Sequence, residues 1–317
     1  MSRGPSKSKQ IPLGTFRCFG GFQLGSDPTS NVGRASGTRF GRPDSYIAGG
    51  VAVNREGPRF SGYIDIFQDS EQRLKAAAEA DAKALTDAGL KLSWKKKVAG
   101  KYDAEVEGLG DTMQLDWVHD SAFRFFPAQR DELFGYVLHP ADLATNKAAA
   151  AADRREPRDI VDLVTIHENI LPLGAVICAA VGRFPGMSPE EMLAEITRHS
   201  RFTAEEFQVL STERPIDVPD LHRRIRKMIE DAERFINRIP SDAVGVIFLD
   251  AGRPVQPDLE ALGKYERNAG APGGVWPTSP EISRAMLELY AKKPNDGNPD
   301  AGSNRRTESA DFADDAD

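Results

Sequence analysis

The feature that most constrains the fold is a glycine pair, Gly49-Gly50, ending a short apolar segment (Tyr46-Ile47-Ala48), followed after ten intervening residues by Ser61-Gly62 and an acid set inside an apolar strand, Tyr63-Ile64-Asp65-Ile66-Phe67. Glycines let a backbone approach an anion closely, and a helix that begins there offers free N–H groups. Read by itself, the pair is more simply a plain strand-to-helix turn. Strand alternation places residues 63, 65 and 67 on one face. An Asp-x-Asp in that position would aim two carboxylates at one point, the way a strand holds magnesium. Here the pair is Tyr63 and Asp65.

The pattern downstream of this strand predicts an α+β fold: a small mixed-sheet domain and then a mainly helical one. Residues 69–88 read as a helix capped by Asp69 or Ser70 and ended by Gly89. Strands are expected at 90–98, 102–107 and 113–118, broken by Gly100 and by Gly108 with Gly110. Beyond residue 138 the apolar period turns helical. Pro140 opens one helix, to Ala152, and Pro157 another, from Arg158 to about Glu168. Ser188-Pro189-Glu190-Glu191 and Thr203-Ala204-Glu205-Glu206 are capping boxes. Residues 219–239 form an amphipathic helix, 244–249 a strand, and 280–292 a last short helix. The expected division is a flexible basic arm at 1–44, a sheet domain at 45–133, a helical domain at 134–292 and a disordered acidic tail at 293–317.

Composition supports that division. The 317 residues can bury a substantial core, and a formal charge of −7 argues against a general polyanion binder. Residues 1–45 nevertheless carry seven Lys or Arg against two Asp, while residues 294–317 carry seven acids against two Arg. Two cysteines, Cys18 and Cys178, give no disulfide framework. The apolar run from Leu171 to Val181 is too short to span a bilayer, and no signal peptide is recognisable, so a soluble, cytoplasmic protein without membrane partners is expected. The Gly25-Ser26 pair in the arm has no acidic strand closely following it.

Two further groups bear on chemistry. Asp116, in Leu115-Asp116-Trp117, is a candidate partner for Asp65 as a metal ligand if their strands are neighbours; otherwise it is a strand-end acid facing water. Asp142 and Lys147 share one predicted helix, and Asp159 and Asp162 share a face of the next, just after Arg154, Arg155 and Arg158. A lysine so placed can neutralise phosphate charge during phosphoryl transfer, although spacing alone is more often that of a solvated, salt-bridged helix pair. The five histidines lack metal-ligand spacing and read as surface or packing residues. Trp94 beside Lys95-Lys96-Lys97 reads as a basic strand edge, with RNA contact the alternative.

Together these segments resemble the AbiEii/AbiGii-type nucleotidyltransferase toxins, a branch of the polymerase-β-like nucleotidyltransferases. The resemblance rests on Gly49-Gly50, Arg59-Phe60-Ser61 leading into Ile64-Asp65-Ile66-Phe67, Asp142-Leu143-Ala144 with Lys147, and Arg158-Asp159 with Asp162-Leu163, over about residues 46–165. It implies that Gly49, Gly50, Arg59, Ser61, Arg158 and Asp159 bind nucleotide, that Asp65 holds Mg²⁺ or Mn²⁺, joined by Asp116 if the strands are neighbours, and that Asp65, Lys147 and Asp162 are catalytic. It also implies an NTP donor, an RNA (such as tRNA) or protein acceptor, and a toxin role in a toxin–antitoxin or phage-defence pair with a cognate antitoxin protein. The family strand usually reads Asp-x-Asp, and Tyr63 stands in place of its first acid. A protonated phenol is a poor magnesium ligand, which leaves a second reading: a catalytically impaired member that binds nucleotide, RNA or a partner without transfer.

Overall fold

Strand alternation sets the architecture. In the second strand, Ile64 and Ile66 are buried on one face while Tyr63, Asp65 and Phe67 occupy the other. The same division holds in the fifth strand, where Leu115 and Trp117 are buried and Gln114, Asp116 and Val118 face the opposite side. The apolar face packs on a long helix, and the face bearing the acids looks toward the helical half of the chain.

The computed structural model describes residues 45–271, except residues 56, 109–110 and 132–133. The expected arm, the helix at 280–292, the acidic tail and Cys18 lie outside the described residues. The elements run β1 (Ser45–Ala48), α1 (Gly49–Val53), β2 (Tyr63–Gln68), α2 (Glu71–Asp87), β3 (Lys91–Val98), β4 (Lys101–Gly108), β5 (Asp111–His119), β6 (Gln129–Asp131) and β7 (Gly135–Val137). Helices come next: α3 (Pro140–Asp153), α4 (Pro157–Asn169), α5 (Leu173–Arg183), α6 (Pro189–His199), α7 (Ala204–Gln208) and α8 (Val218–Ile236). A small sheet of β8 (Ile247–Asp250), β9 (Arg253–Val255) and β10 (Glu266–Asn268) closes the described chain.

The fold is α+β, with a seven-stranded mixed sheet in the order β3-β4-β5-β2-β1-β7-β6. β3, β4 and β5 form an antiparallel meander, and β5 joins β2 in parallel. β6 and β7 lie on either side of residues 132–133 and pair with each other, and β7 joins β1. Sheet and helices therefore share a core: Tyr46, Ala48, Tyr136 and Leu138 belong to the same apolar cluster as α3 through α8. The described residues all belong to one compact unit.

The capping signals are realised. Ser188 and Thr203 form complete capping boxes on α6 and α7. The helix expected at 219–239 is α8, and the strand expected at 244–249 starts at Ile247. The apolar run at 171–181 folds as α5, with Pro172 at the N-cap. Gly174 in it is a contact point rather than a break: a Cβ there would lie 2.9 Å from Phe235 Cβ and 3.2 Å from Ala232 Cα on α8. Among the described residues no single helix is long and apolar enough to cross a membrane; only α4 and α5 taken together pass on length and composition, and they are bent by 113°.

Candidate active site

The site begins at the glycine pair. Gly49 has φ +67°, a left-handed conformation that suits glycine, and a Cβ on it would lie 1.7 Å from Asp65 Oδ2. The Asp65 carboxylate thus occupies the space that a side chain at 49 would need. Gly50 makes equivalent room for Arg59, whose Nη2 would be 2.4 Å from an added Cβ.

Asp65 and Asp116 are direct register partners in the parallel β2–β5 pair and therefore face the same side on neighbouring strands. Asp103 on β4 is in register with Asp116 one strand further on. Burial, reinforced by the Asp116 charge and opposed by Lys147, pushes the Asp65 carboxyl up to about 6. Among the described residues Asp65 accepts no hydrogen bond. Asp116 is fully engaged: Gln114 Nε2 donates to Oδ1 at 2.7 Å, and Lys101 Nζ lies 3.0 Å from Oδ2.

Helix α3 forms the opposite wall. Leu143, Asn146, Lys147, Ala150 and Arg154 succeed one another at three- and four-residue spacing along its cleft side. Between this wall and the acid-bearing sheet face is a cleft of about 520 Å³, also lined by Gly49, Gly50, Tyr63, Phe67 and Arg158. The Arg158 guanidinium lies 5.1 Å from the centre of the Tyr63 ring, a cation–π contact, and its Nε lies 3.6 Å from Glu156 Oε2, an ion pair too long for a hydrogen bond. Burial holds the Tyr63 phenol above its ordinary value, so it stays protonated. A larger hollow of about 1040 Å³ shares Phe67, Val118, Asn146 and Ala150 with the cleft.

Behind the α3 wall is a closed ion network. Lys147 Nζ is 2.8 Å from both Asp159 Oδ1 and Asp162 Oδ2. Arg59 grips Asp162 with two hydrogen bonds of 2.9 Å, and Asn54 Nδ2 donates to it at 2.6 Å. Arg154 Nε donates to Asp159 at 2.7 Å. Burial alone would raise both acids, but Lys147 and the arginines hold Asp159 down to about 2 and Asp162 below its ordinary value. An ammonium has three N–H donors, and the two acids use two of them, leaving one for the cleft.

The structure brings Gly49, Gly50, Asp65, Asp116, Lys147 and Arg158 to one cleft. Arg59, Asp159 and Asp162 do not line it; they reach it through Lys147 and Gly50. Ser61 does not line it either: it is buried and donates to Tyr63 O at 2.8 Å, bracing the start of β2. Asp142 accepts from the backbone N–H groups of Phe125 and Phe126 at 2.8 and 3.0 Å, away from the cleft. Trp94 packs on Trp117 under the edge strand β3. His139, His167 and His199 bond to backbone within the helical half. Sequence reading missed Lys101 and Gln114. Alternation ties each to an acid two residues on, Asp103 and Asp116, but Lys101 directly follows Gly100 and is indistinguishable in the pattern from a turn residue.

Among the described residues no three His, Cys, Asp or Glu side chains are grouped to hold a metal ion. The donor set fits a magnesium-type ion all the same, since that ion takes one or two carboxylates and fills its other positions with water and substrate phosphates. Asp65, a half-buried carboxylate with unused acceptor capacity, would be the first ligand of such a set.

No family model matches the chain, so membership of the AbiEii/AbiGii-type family is not shown, and no curated protein matches it. Among solved structures the chain is similar to MenT4, a nucleotidyltransferase toxin from Mycobacterium tuberculosis H37Rv. The two are 16% identical, with 67% of this chain and 84% of that one covered and a TM-score of 0.47. At that identity and score the likeness adds nothing to the chemistry argued from the residues.

Proposed function

We propose that the cleft is the active site of a nucleotidyltransferase that moves a nucleotide from an NTP to an acceptor, and that the protein acts as a toxin. The observation that carries this reading is the register pair Asp65–Asp116 facing Lys147 and Arg158 across a cleft that opens at the Gly49 turn. Acids on one wall and cations on the other suit a triphosphate with its magnesium.

In this reading Asp65, with Asp116, holds Mg²⁺ or Mn²⁺, which when bound supplies Lewis-acid stabilisation of charge on the phosphates. The third N–H of Lys147 and the guanidinium of Arg158 bind phosphate oxygens and neutralise charge on the pyrophosphate leaving group. An acceptor hydroxyl, entering from the larger hollow beside Phe67 and Asn146, attacks the α-phosphate in line; the bond to the β-phosphate breaks, pyrophosphate leaves and the hydroxyl proton passes to solvent in the open hollow. Asp159 and Asp162 are positioning residues that fix the ammonium of Lys147, and Arg59 and Ser61 position Asp162 and β2. RNA such as tRNA, or a protein, is the acceptor class, and a cognate antitoxin is the partner that would restrain the activity. Tyr63 holds Arg158 by its ring instead of supplying a second strand carboxylate.

One observation favours a second reading, binding without transfer: Tyr63 lines the cleft where an acid would add a metal ligand, and both oxygens of Asp116 are already engaged. The test is incubation with α-labelled NTPs, Mg²⁺ or Mn²⁺ and total tRNA, comparing wild type, Asp65→Ala and Tyr63→Asp. Label transfer by wild type that falls at least about a hundredfold in Asp65→Ala is the expected result. Transfer by Tyr63→Asp alone would sink the enzyme reading and establish the second.

A further inference from the structure

Asp116 and Asp65 are neighbours of the same chemical type in different states, and Lys101 makes the difference. Lys101 is the first residue of β4, following the tight turn at Ala99 and Gly100, where Gly100 has φ +76°. Its ammonium lies 3.0 Å from Asp116 Oδ2 and 3.3 Å from Asp103 Oδ1, and its side chain is 40% exposed. It lines the same cleft as Asp65, Gln114 and Lys147.

We propose that Lys101 is a built-in counter-ion that competes with the divalent cation for Asp116, so that the two-carboxylate site forms only when this ammonium swings away. The inference rests on the nucleotidyltransferase reading of the cleft and adds a control on its loading. A dication placed between Asp65 and a free Asp116 meets two full negative charges. With Lys101 in place it meets one free carboxylate and a neutralised pair, and the ammonium repels it. The pair is open to solvent on the lysine side, and ion pairs of that kind are weak enough to exchange. The released ammonium remains at the cleft rim, where a triphosphate gives it another anion to bind. Lys101 thereby links metal loading to nucleotide arrival: without nucleotide it holds Asp116, and with nucleotide it yields it.

Direct binding of Mn²⁺, read by the loss of the free-ion electron paramagnetic resonance signal in the absence of nucleotide, tests this. The proteins compared are wild type, Lys101→Met, Lys101→Arg and Asp65→Asn, each checked for a native melting transition. Lys101→Met is expected to bind Mn²⁺ about fivefold more tightly than wild type. Lys101→Arg, which keeps the cation, is expected to match wild type, and Asp65→Asn to lose the site. Equal or weaker binding by Lys101→Met, binding undiminished in Asp65→Asn, or no binding by any of the proteins overturns the proposal. The readout does not involve transfer, so a chain that labels no acceptor still answers it. Conversely, label transfer without tighter binding in Lys101→Met would keep the enzyme and remove the role of Lys101.

Discussion

Asp162 and Asp65 are both carboxylates withdrawn from bulk water on either side of Lys147, and they differ in what they accept. Asp162 is fully buried and receives hydrogen bonds from Asn54 and twice from Arg59, besides the ion pair with Lys147. Its charge is held by the fold. Asp65 accepts none among the described residues, and burial pushes its carboxyl up to about 6. A saturated acid has no capacity left for a ligand; an unsaturated one raises the free energy of the folded state until something positive binds it. The pair separates residues that build the site from residues that use it, although both sets came from the same motifs.

The comparison breaks most readily at Asp162. Removing one partner from a buried ion network leaves the others uncompensated, typically at about 3–5 kcal/mol. Asp162→Ala is therefore expected to lower the melting temperature by roughly 10 °C, measured by calorimetry. A shift near zero would mean that the network is not structural.

Asp65 should respond in the opposite sense. Its folded-state value of about 6 lies above the ordinary 3.8, so between those pH values the folded chain binds more protons than the unfolded one. The penalty of this group is absent below about pH 4, grows as pH rises and is complete above about 6. Asp65→Asn removes it, so the variant is expected to be more stable than wild type at pH 7, by about 1–3 kcal/mol, with the difference fading toward pH 4. Denaturant unfolding at both pH values reads this directly.

The smallest effect on stability is expected at Arg158, partly exposed and held by the Tyr63 ring and a long, solvent-exposed ion pair with Glu156. Arg158→Ala is expected to change stability by no more than about 0.5 kcal/mol while weakening triphosphate binding about tenfold, measured by isothermal titration calorimetry. An unchanged affinity would place the phosphates elsewhere.

The elements bounded by their own chemistry were legible in the sequence. Caps, N-terminal prolines and period-two alternation announced α2 to α4, α6 to α8 and the β2–β5 strands, and alternation alone placed Asp65 and Asp116 on faces that could meet. The three-residue strands β6, β7, β9 and β10 were not legible, because so short a strand is defined by its partners rather than by its own pattern. Helix α5 was obscured by Pro172 and Gly174, which act there as an N-cap and as a contact with α8. The i,i+3 spacing of Asp159 and Asp162 showed that they share a face, but no spacing tells whether that face opens to a ligand or closes on Lys147 and Arg59.

The glycine pair joins these two regions like adjacent teeth of one gear. The first glycine is cut away for an acid of the cleft, the second for an arginine of the buried network, and they are consecutive. A single-residue slip of the chain at this turn would offer each neighbour the wrong partner and uncouple the cleft from its support. A change of chain length at this strand-to-helix junction therefore acts on the cleft and on its support at once.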